Sequence, residues 1–236
     1  MYVKNEAMIK LEQEIEEACK QNDTKKTREL LDRVHVTGLS LDGLTSISTE
    51  IAEVLASRKN GFTEPGNTII PADIKLSLSL DGLTTISPKV AQALANFKEG
   101  SCISLNGLTT ISPKVAQALA NFKGYRWAGG NTNLSLDGLT TISPEVAQAL
   151  ANFEGTILSL DGLTTISPEV AKALASLKGY NGTGSNAHIY LNGLTTVSPE
   201  VVQELALFKG EISFNKNNPD IQTVIEESGV DTFKLR

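Results

Sequence analysis

Four aspartates, Asp42, Asp81, Asp137 and Asp161, each sit in the same context, L-S-L-D-G-L. Carboxylates recurring at one position are the raw material of a calcium site, because Ca2+ is held by oxygen ligands. Two sister segments, however, carry Asn106 and Asn192 in that slot. Exchanging Asp for Asn keeps a hydrogen-bond acceptor and discards charge, which suits an Asx turn better than a cation. Stacked carboxylates would also repel one another, so no metal is expected. A second motif, Gly182-Thr183-Gly184-Ser185-Asn186-Ala187, matches the G-x-G-x-x-A of dinucleotide sites. That motif needs a strand before it and a helix after it, so that the helix N-terminus meets pyrophosphate. Here it follows a helical pattern and precedes a strand pattern, the reverse order. His35 and His188 have no cysteine or serine partner at a telling spacing, and His35 reads as a connector residue. Cys19 and Cys102 lie far apart, with no metal or redox spacing, as suits a reducing compartment. No cofactor and no enzymatic activity are expected.

What positions these residues is an internal repeat. LSLDGLTSISTEIAEVLAS begins at Leu39, LSLDGLTTISPKVAQALANF at Leu78 and ISLNGLTTISPKVAQALANF at Ile103. Further copies begin at Leu134, Leu158 and Ile189, and a decayed seventh starts at Ile212. In each copy L-S-L alternates with period two, a very short strand. Asp-Gly or Asn-Gly breaks it, glycine being tolerant of positive φ. Ser-Pro then opens a helix, serine as N-cap and proline at the first helical position. In the fifth copy the helix is expected over Pro168–Leu177, with Val170, Ala173, Leu174 and Leu177 on one face. Gly179 ends it, as Gly61, Gly100, Gly124, Gly155 and Gly210 end the others, where left-handed φ is wanted. One such unit cannot bury its own apolar face, so copies must stack. Leu80 with Leu105, and Leu136 with Leu160, then form ladders in a parallel sheet. Helices are wider than the strand spacing, so the stack should curve, with alanines such as Ala91, Ala93 and Ala95 limiting the mismatch.

The unit LSLDGLTTISPEVAQALANFKG resembles a bacterial variant of the leucine-rich repeat, over about residues 36–210. It departs from the commonest pattern in one respect: Leu44, Leu83, Leu108, Leu139, Leu163 and Leu194 stand where that pattern places asparagine. The resemblance implies an α/β fold, a right-handed curved solenoid of horseshoe type. Short parallel strands would line the concave side and helices the convex side. It also implies binding of a protein or ligand on an extended surface, without common catalytic chemistry.

Three regions are expected: an N-terminal helical cap over 1–35, a six-repeat solenoid over 36–210, and a degenerate repeat with C-terminal cap over 211–236. Met8, Leu11, Ile15 and Cys19 share one helical stripe, and Asp23 or Thr24 can cap a second helix carrying Leu30, Leu31 and Val34. Such a hairpin would cover the open edge of the first repeat. Asn218-Pro219-Asp220 starts a last helix through about Glu227, and residues 230–235 would close the last face.

Between the strand leucines Leu41, Leu80, Leu105, Leu136, Leu160 and Leu191 the steps are 39, 25, 31, 24 and 31 residues. The long steps therefore insert a loop before every second strand, on one rim. Each loop runs Gly, aromatic, a few residues, Gly, Asn, with Phe62, Tyr125 and Tyr180 as the aromatics. These three either pack over the helix ends or form a binding row. Trp127, the single tryptophan, stands beside Arg126 and has no counterpart in the sister loops. His188 adds a polar handle. The middle strand residues Ser40, Ser79, Ser104, Ser135, Ser159 and Ser213 should make a flat polar surface, broken by Tyr190 alone. The Thr pairs, such as Thr140-Thr141 and Thr164-Thr165, should bond within the solenoid.

A net charge of −6 offers no basic field for nucleic acid, and no apolar run approaches a membrane span. The start, MYVKNEAMIK, has no signal-type apolar core, so a cytoplasmic location is expected, with export lacking a cleavable signal left open. The expected function is a non-enzymatic scaffold for a protein partner, contacting it through Trp127, Arg126, Tyr125, Tyr180, Tyr190, Phe62 and His188. The alternative is a glycan or small ligand stacked on Tyr125, Trp127 and Tyr180.

Overall fold

The computed structural model describes residues 6–34, 38–58, 76–97, 100–122, 132–179, 187–215 and 217–229. Two helices open the chain, α1 (Glu6–Lys20) and α2 (Thr24–Leu31). Strands and helices then alternate: β1 (Gly38–Ser40), α3 (Thr49–Ala56), β2 (Leu76–Ser79), α4 (Pro88–Leu94), β3 (Gly100–Ser104) and α5 (Pro113–Leu119). They continue with β4 (Asn133–Ser135), α6 (Pro144–Leu150), β5 (Ile157–Ser159), α7 (Pro168–Ala175), β6 (His188–Leu191), α8 (Pro199–Ala206), β7 (Glu211–Phe214) and α9 (Pro219–Glu227). All seven strands form one parallel sheet whose spatial order is the chain order. Each helix packs on the helices of the adjacent copies. This is an α/β repeat solenoid.

Register follows the repeat from Ser77 onward in β2, where a shift between Leu76 and Ser77 against β3 is the one irregularity among the described pairings. Leu39, Leu78, Ile103, Leu134, Leu158, Ile189 and Ile212 pair in sequence across the sheet. These residues and the strand leucines two positions on are buried, while the serines between them are half-buried. The period-two pattern thus sends alternate side chains to the helix layer and to the opposite, outer face. Behind the strands runs an aromatic spine that the sequence pattern alone does not announce: Phe97, Phe122, Phe153 and Phe208, all at most 1% exposed. Leu177 takes that slot in the fifth copy and Arg58 in the first, and both are buried. Removal from water drives the Arg58 guanidinium down to about 10.

Serine caps every repeat helix. Ser48, Ser87, Ser112, Ser143, Ser167 and Ser198 each accept from the backbone N–H three residues on, and proline fills the first turn in all but the first copy. The fifth helix ends at Ala175 rather than Leu177, with Leu177 still buried. The hairpin α1–α2 forms as expected, Asp23 being the N-cap of α2 through its bond from Lys26 N–H. Leu11, Ile15, Cys19, Leu30, Leu31 and Val34 are buried and Met8 packs against them. At the far end Asn218 caps α9, which runs to Glu227. Residues 230–235 lie outside the described residues.

Two readings of the glycines need correction. Among the described residues, positive φ occurs at Gly179 (61°) and Gly229 (67°) and at one non-glycine, Asn22. Gly179 therefore ends its helix as expected, but Gly155 and Gly210 do not use left-handed backbone, and Gly100 opens β3. Gly61 and Gly124 lie outside the described residues. Nor do the Asp-Gly and Asn-Gly glycines rely on positive φ. A Cβ on Gly82, Gly107, Gly138, Gly162 or Gly193 would come within 2.1 Å of the carbonyl oxygen of the Asp or Asn in the preceding copy. Glycine is required there because one turn nests against the backbone of the last.

Candidate functional site

The Asp/Asn row is the polar centre of the fold. Asp42 Oδ1 accepts from Ser79 Oγ (2.6 Å) and from the N–H of Asp81 (2.9 Å) in the next copy. Asp81 Oδ1 does the same for Ser104 Oγ and Asn106 N–H. Asn106 Oδ1 serves Ser135 Oγ and Asp137 N–H, and Asp137 Oδ1 serves Ser159 Oγ and Asp161 N–H. The side chains expected to close their own turns therefore bridge to the following repeat. Asparagine substitutes for aspartate because the working atom is Oδ1, common to both. Like-charge repulsion is met by hydrogen bonds to each carboxylate, which are stronger than neutral ones. Among the described residues no group of three or more His, Cys, Asp or Glu is arranged to hold a metal.

The first copy has no predecessor, and α1 supplies one. Glu12 Oε1 accepts from Ser40 N–H (2.9 Å) and Glu16 Oε1 from Gly43 N–H (2.8 Å). Edge strands expose such donors, and two carboxylates close this edge. The threonines also bond within the solenoid: Thr164 N–H to Thr140 O, and Thr195 N–H and Oγ1 to Thr164 O.

The serine row is thus committed to the ladder, and its one interruption becomes informative. Tyr190 occupies the serine position of β6 and cannot replace the short hydroxyl. Asn192 compensates: both its N–H (2.8 Å) and its Nδ2 (3.1 Å) donate to Asp161 Oδ1. The tyrosine ring instead stacks on His188, two residues earlier on the same face, with centroids 4.2 Å apart and planes at 12°. His188 Nε2 shares a 2.7 Å hydrogen bond with Ser213 Oγ of β7. Sequence spacing offers His188 no such partner: 25 residues separate the two, and only the stacking of adjacent copies reveals the pair. Glu211 Oε2 lies 3.9 Å from His188 Nδ1, too long for a direct hydrogen bond and within ion-pair range of a protonated ring.

The structure brings His188 and Tyr190 together. Phe62, Tyr125, Arg126, Trp127 and Tyr180 lie outside the described residues, as does His35. Of the cysteines, Cys19 is buried, its thiol pushed up to about 11 by desolvation, and Cys102, half-buried on the outer face, is raised by burial and by Asp81. No helix among the described residues is long and apolar enough to cross a membrane. The geometry defines the chain as an α/β repeat solenoid with an aromatic pair on its outer sheet face. Compared with known proteins, the chain matches no family model, no curated protein and no solved structure.

Proposed function

We propose that this chain is a non-enzymatic scaffold, of leucine-rich-repeat type, that binds a protein partner through its outer sheet face and the rim bearing the inserted loops. The observation that carries the reading is Tyr190. Every other member of its row described is a serine, and five of these donate to or sit within the ladder; the tyrosine gives up that bond, and Asn192 takes it over. A position released from holding the fold and given an aromatic side chain fits contact residues, which favour Tyr, Trp and Arg. In the sequences of the inserted loops, Trp127 and Arg126 are the corresponding candidates, with Tyr125, Tyr180 and Phe62 as the further aromatics. Loops on a rigid scaffold commonly carry binding.

Selection of a random-peptide display library on the folded protein tests this, with each clone re-assayed on Tyr190→Ser and Trp127→Ala. Clones that bind the parent and are lost on one of the two variants are the expected result. Clones indifferent to both, or a protein that selects no peptide and instead retains members of a glycan panel, would overturn it.

A further inference from the structure

The outer face of the sheet is electrostatically one-sided. Its three described rows are residues 38, 77, 102, 133, 157, 188 and 211; the serine row with Tyr190; and the Asp/Asn row. Together they contain Asp42, Asp81, Asp137, Asp161 and Glu211 and not one lysine or arginine, although the chain has 21. Glu12 and Glu16 extend the same sign beyond β1. Of the described basic residues of the repeats, Lys89, Lys114 and Lys172 stand on helices α4, α5 and α7, and Arg58, Lys178 and Lys209 on the segments that follow α3, α7 and α8, none of them in these three rows. Against this field stands one aromatic platform. His188 covers one face of the Tyr190 ring, and the bond to Ser213 holds His188 in place. The platform is bracketed by carboxylates, Asp161 in the copy before it and Glu211 on the strand after it.

We infer that the outer face receives an extended basic segment of the partner, with an arginine side chain set on Tyr190 between Asp161 and Glu211. This rests on the protein-partner reading above. A guanidinium fits better than an ammonium, because it stacks flat on an aromatic ring while donating in its own plane to a carboxylate. The electrostatic complement is the reason to choose a cationic occupant: an acidic segment would meet only like charge on this face.

Tyr190→Ser restores the residue found in six sister copies, so the variant is expected to fold, which circular dichroism checks. The probes are two labelled, acetylated peptides of alternating Gly-Ser spacing carrying four arginines or four lysines, and a glutamate counterpart, titrated by fluorescence anisotropy at physiological salt. The arginine peptide should bind more tightly than the lysine peptide, and the glutamate peptide should not bind. Tyr190→Ser should weaken the arginine peptide by about tenfold, in the range of a partly desolvated cation–π contact, and remove its advantage over lysine. Absence of arginine-peptide binding, or equal affinities for arginine and lysine unchanged by Tyr190→Ser, overturns the inference. The display selection separates the two claims. Clones lost on Tyr190→Ser or Trp127→Ala but not enriched in arginine leave the partner reading standing and remove this one.

Discussion

Replacing Gly138 by alanine tests whether the glycine row is there for packing or for backbone freedom. The added Cβ would lie 2.0 Å from the carbonyl oxygen of Asn106, 2.7 Å from that of Leu108 and 2.8 Å from the Asn106 carbonyl carbon, whereas ordinary contact begins at 3.4 Å. All three atoms are backbone, and each belongs to a turn that itself nests on another copy. The clash cannot be relieved by rotating a side chain. Relief means moving the third and fourth copies apart by more than an ångström, which stretches the bonds from Ser135 Oγ and Asp137 N–H to Asn106 (2.7 and 2.8 Å). Overpacking a core costs ~1–3 kcal/mol, and a rigid backbone clash that also weakens two hydrogen bonds belongs at or above the top of that range, about 3 kcal/mol or more. Gly43→Ala is the control. It occupies the same position in the first copy, but there the new Cβ meets the Glu16 carboxylate, the end of a flexible side chain. Glu16 can swing away at the loss of its bond from Gly43 N–H, so about 1 kcal/mol is expected. Urea denaturation followed by circular dichroism compares the two. If Gly138→Ala costs no more than Gly43→Ala, the nesting argument is wrong, and some property shared by both positions must explain the glycine.

Two other predictions concern the polar parts of the repeat. Asp137→Ala leaves Ser159 Oγ and Asp161 N–H without their acceptor and should cost about 2–3 kcal/mol, while Asp137→Asn, which keeps Oδ1, should cost less than ~1 kcal/mol in the same denaturation assay. Glu145, Glu169 and Glu200 are held below their ordinary value of 4.5 by the cap serines Ser143, Ser167 and Ser198 and then by their own backbone N–H groups. A carboxylate whose folded value is depressed contributes stability above its unfolded value and loses it as pH falls through the folded one. Thermal melts taken from neutral pH to below pH ~4 should therefore show a decline that is shallower when all three are glutamine.

Elements of this fold are legible because each is specified locally. L-S-L, Ser-Pro and the apolar stripe of the helix are short-range signals, and repetition states them in nearly every copy. What the residues do between copies was not legible. Whether Asp42 bonds to its own turn or to Ser79 and Asp81, 37 and 39 residues away, depends on how closely the copies stack. The same distance hid the reason for Gly82 and the pairing of His188 with Ser213. For the aspartate and the glycine, composition allowed the right residue type for a wrong local reason: an Asx turn and a positive φ. Interaction across a stacking interface leaves no periodic signature beyond the repeat itself. The candidate site divided along the same line. Tyr190 is legible as the exception to a serine row, whereas His188 reads from the sequence as a polar handle beside the loops and in the structure is the stacking partner of Tyr190.

That division bears on where binding can evolve in such a scaffold. A polar side chain on the outer face is available to a partner only if the ladder does not need it, and the ladder needs the serine and the Asp or Asn of nearly every copy. Changing one of these for the sake of a contact breaks an inter-repeat bond unless the same copy supplies a substitute donor. Asn192 supplies it: an aspartate there would offer its N–H to Asp161 but no amide to replace the serine hydroxyl, and would bring two carboxylates together. The pair Tyr190 and Asn192 is therefore one substitution in physical terms. Asn192→Asp should be more damaging beside Tyr190 than it is when residue 190 is returned to serine, because only the serine can then restore the bond to Asp161.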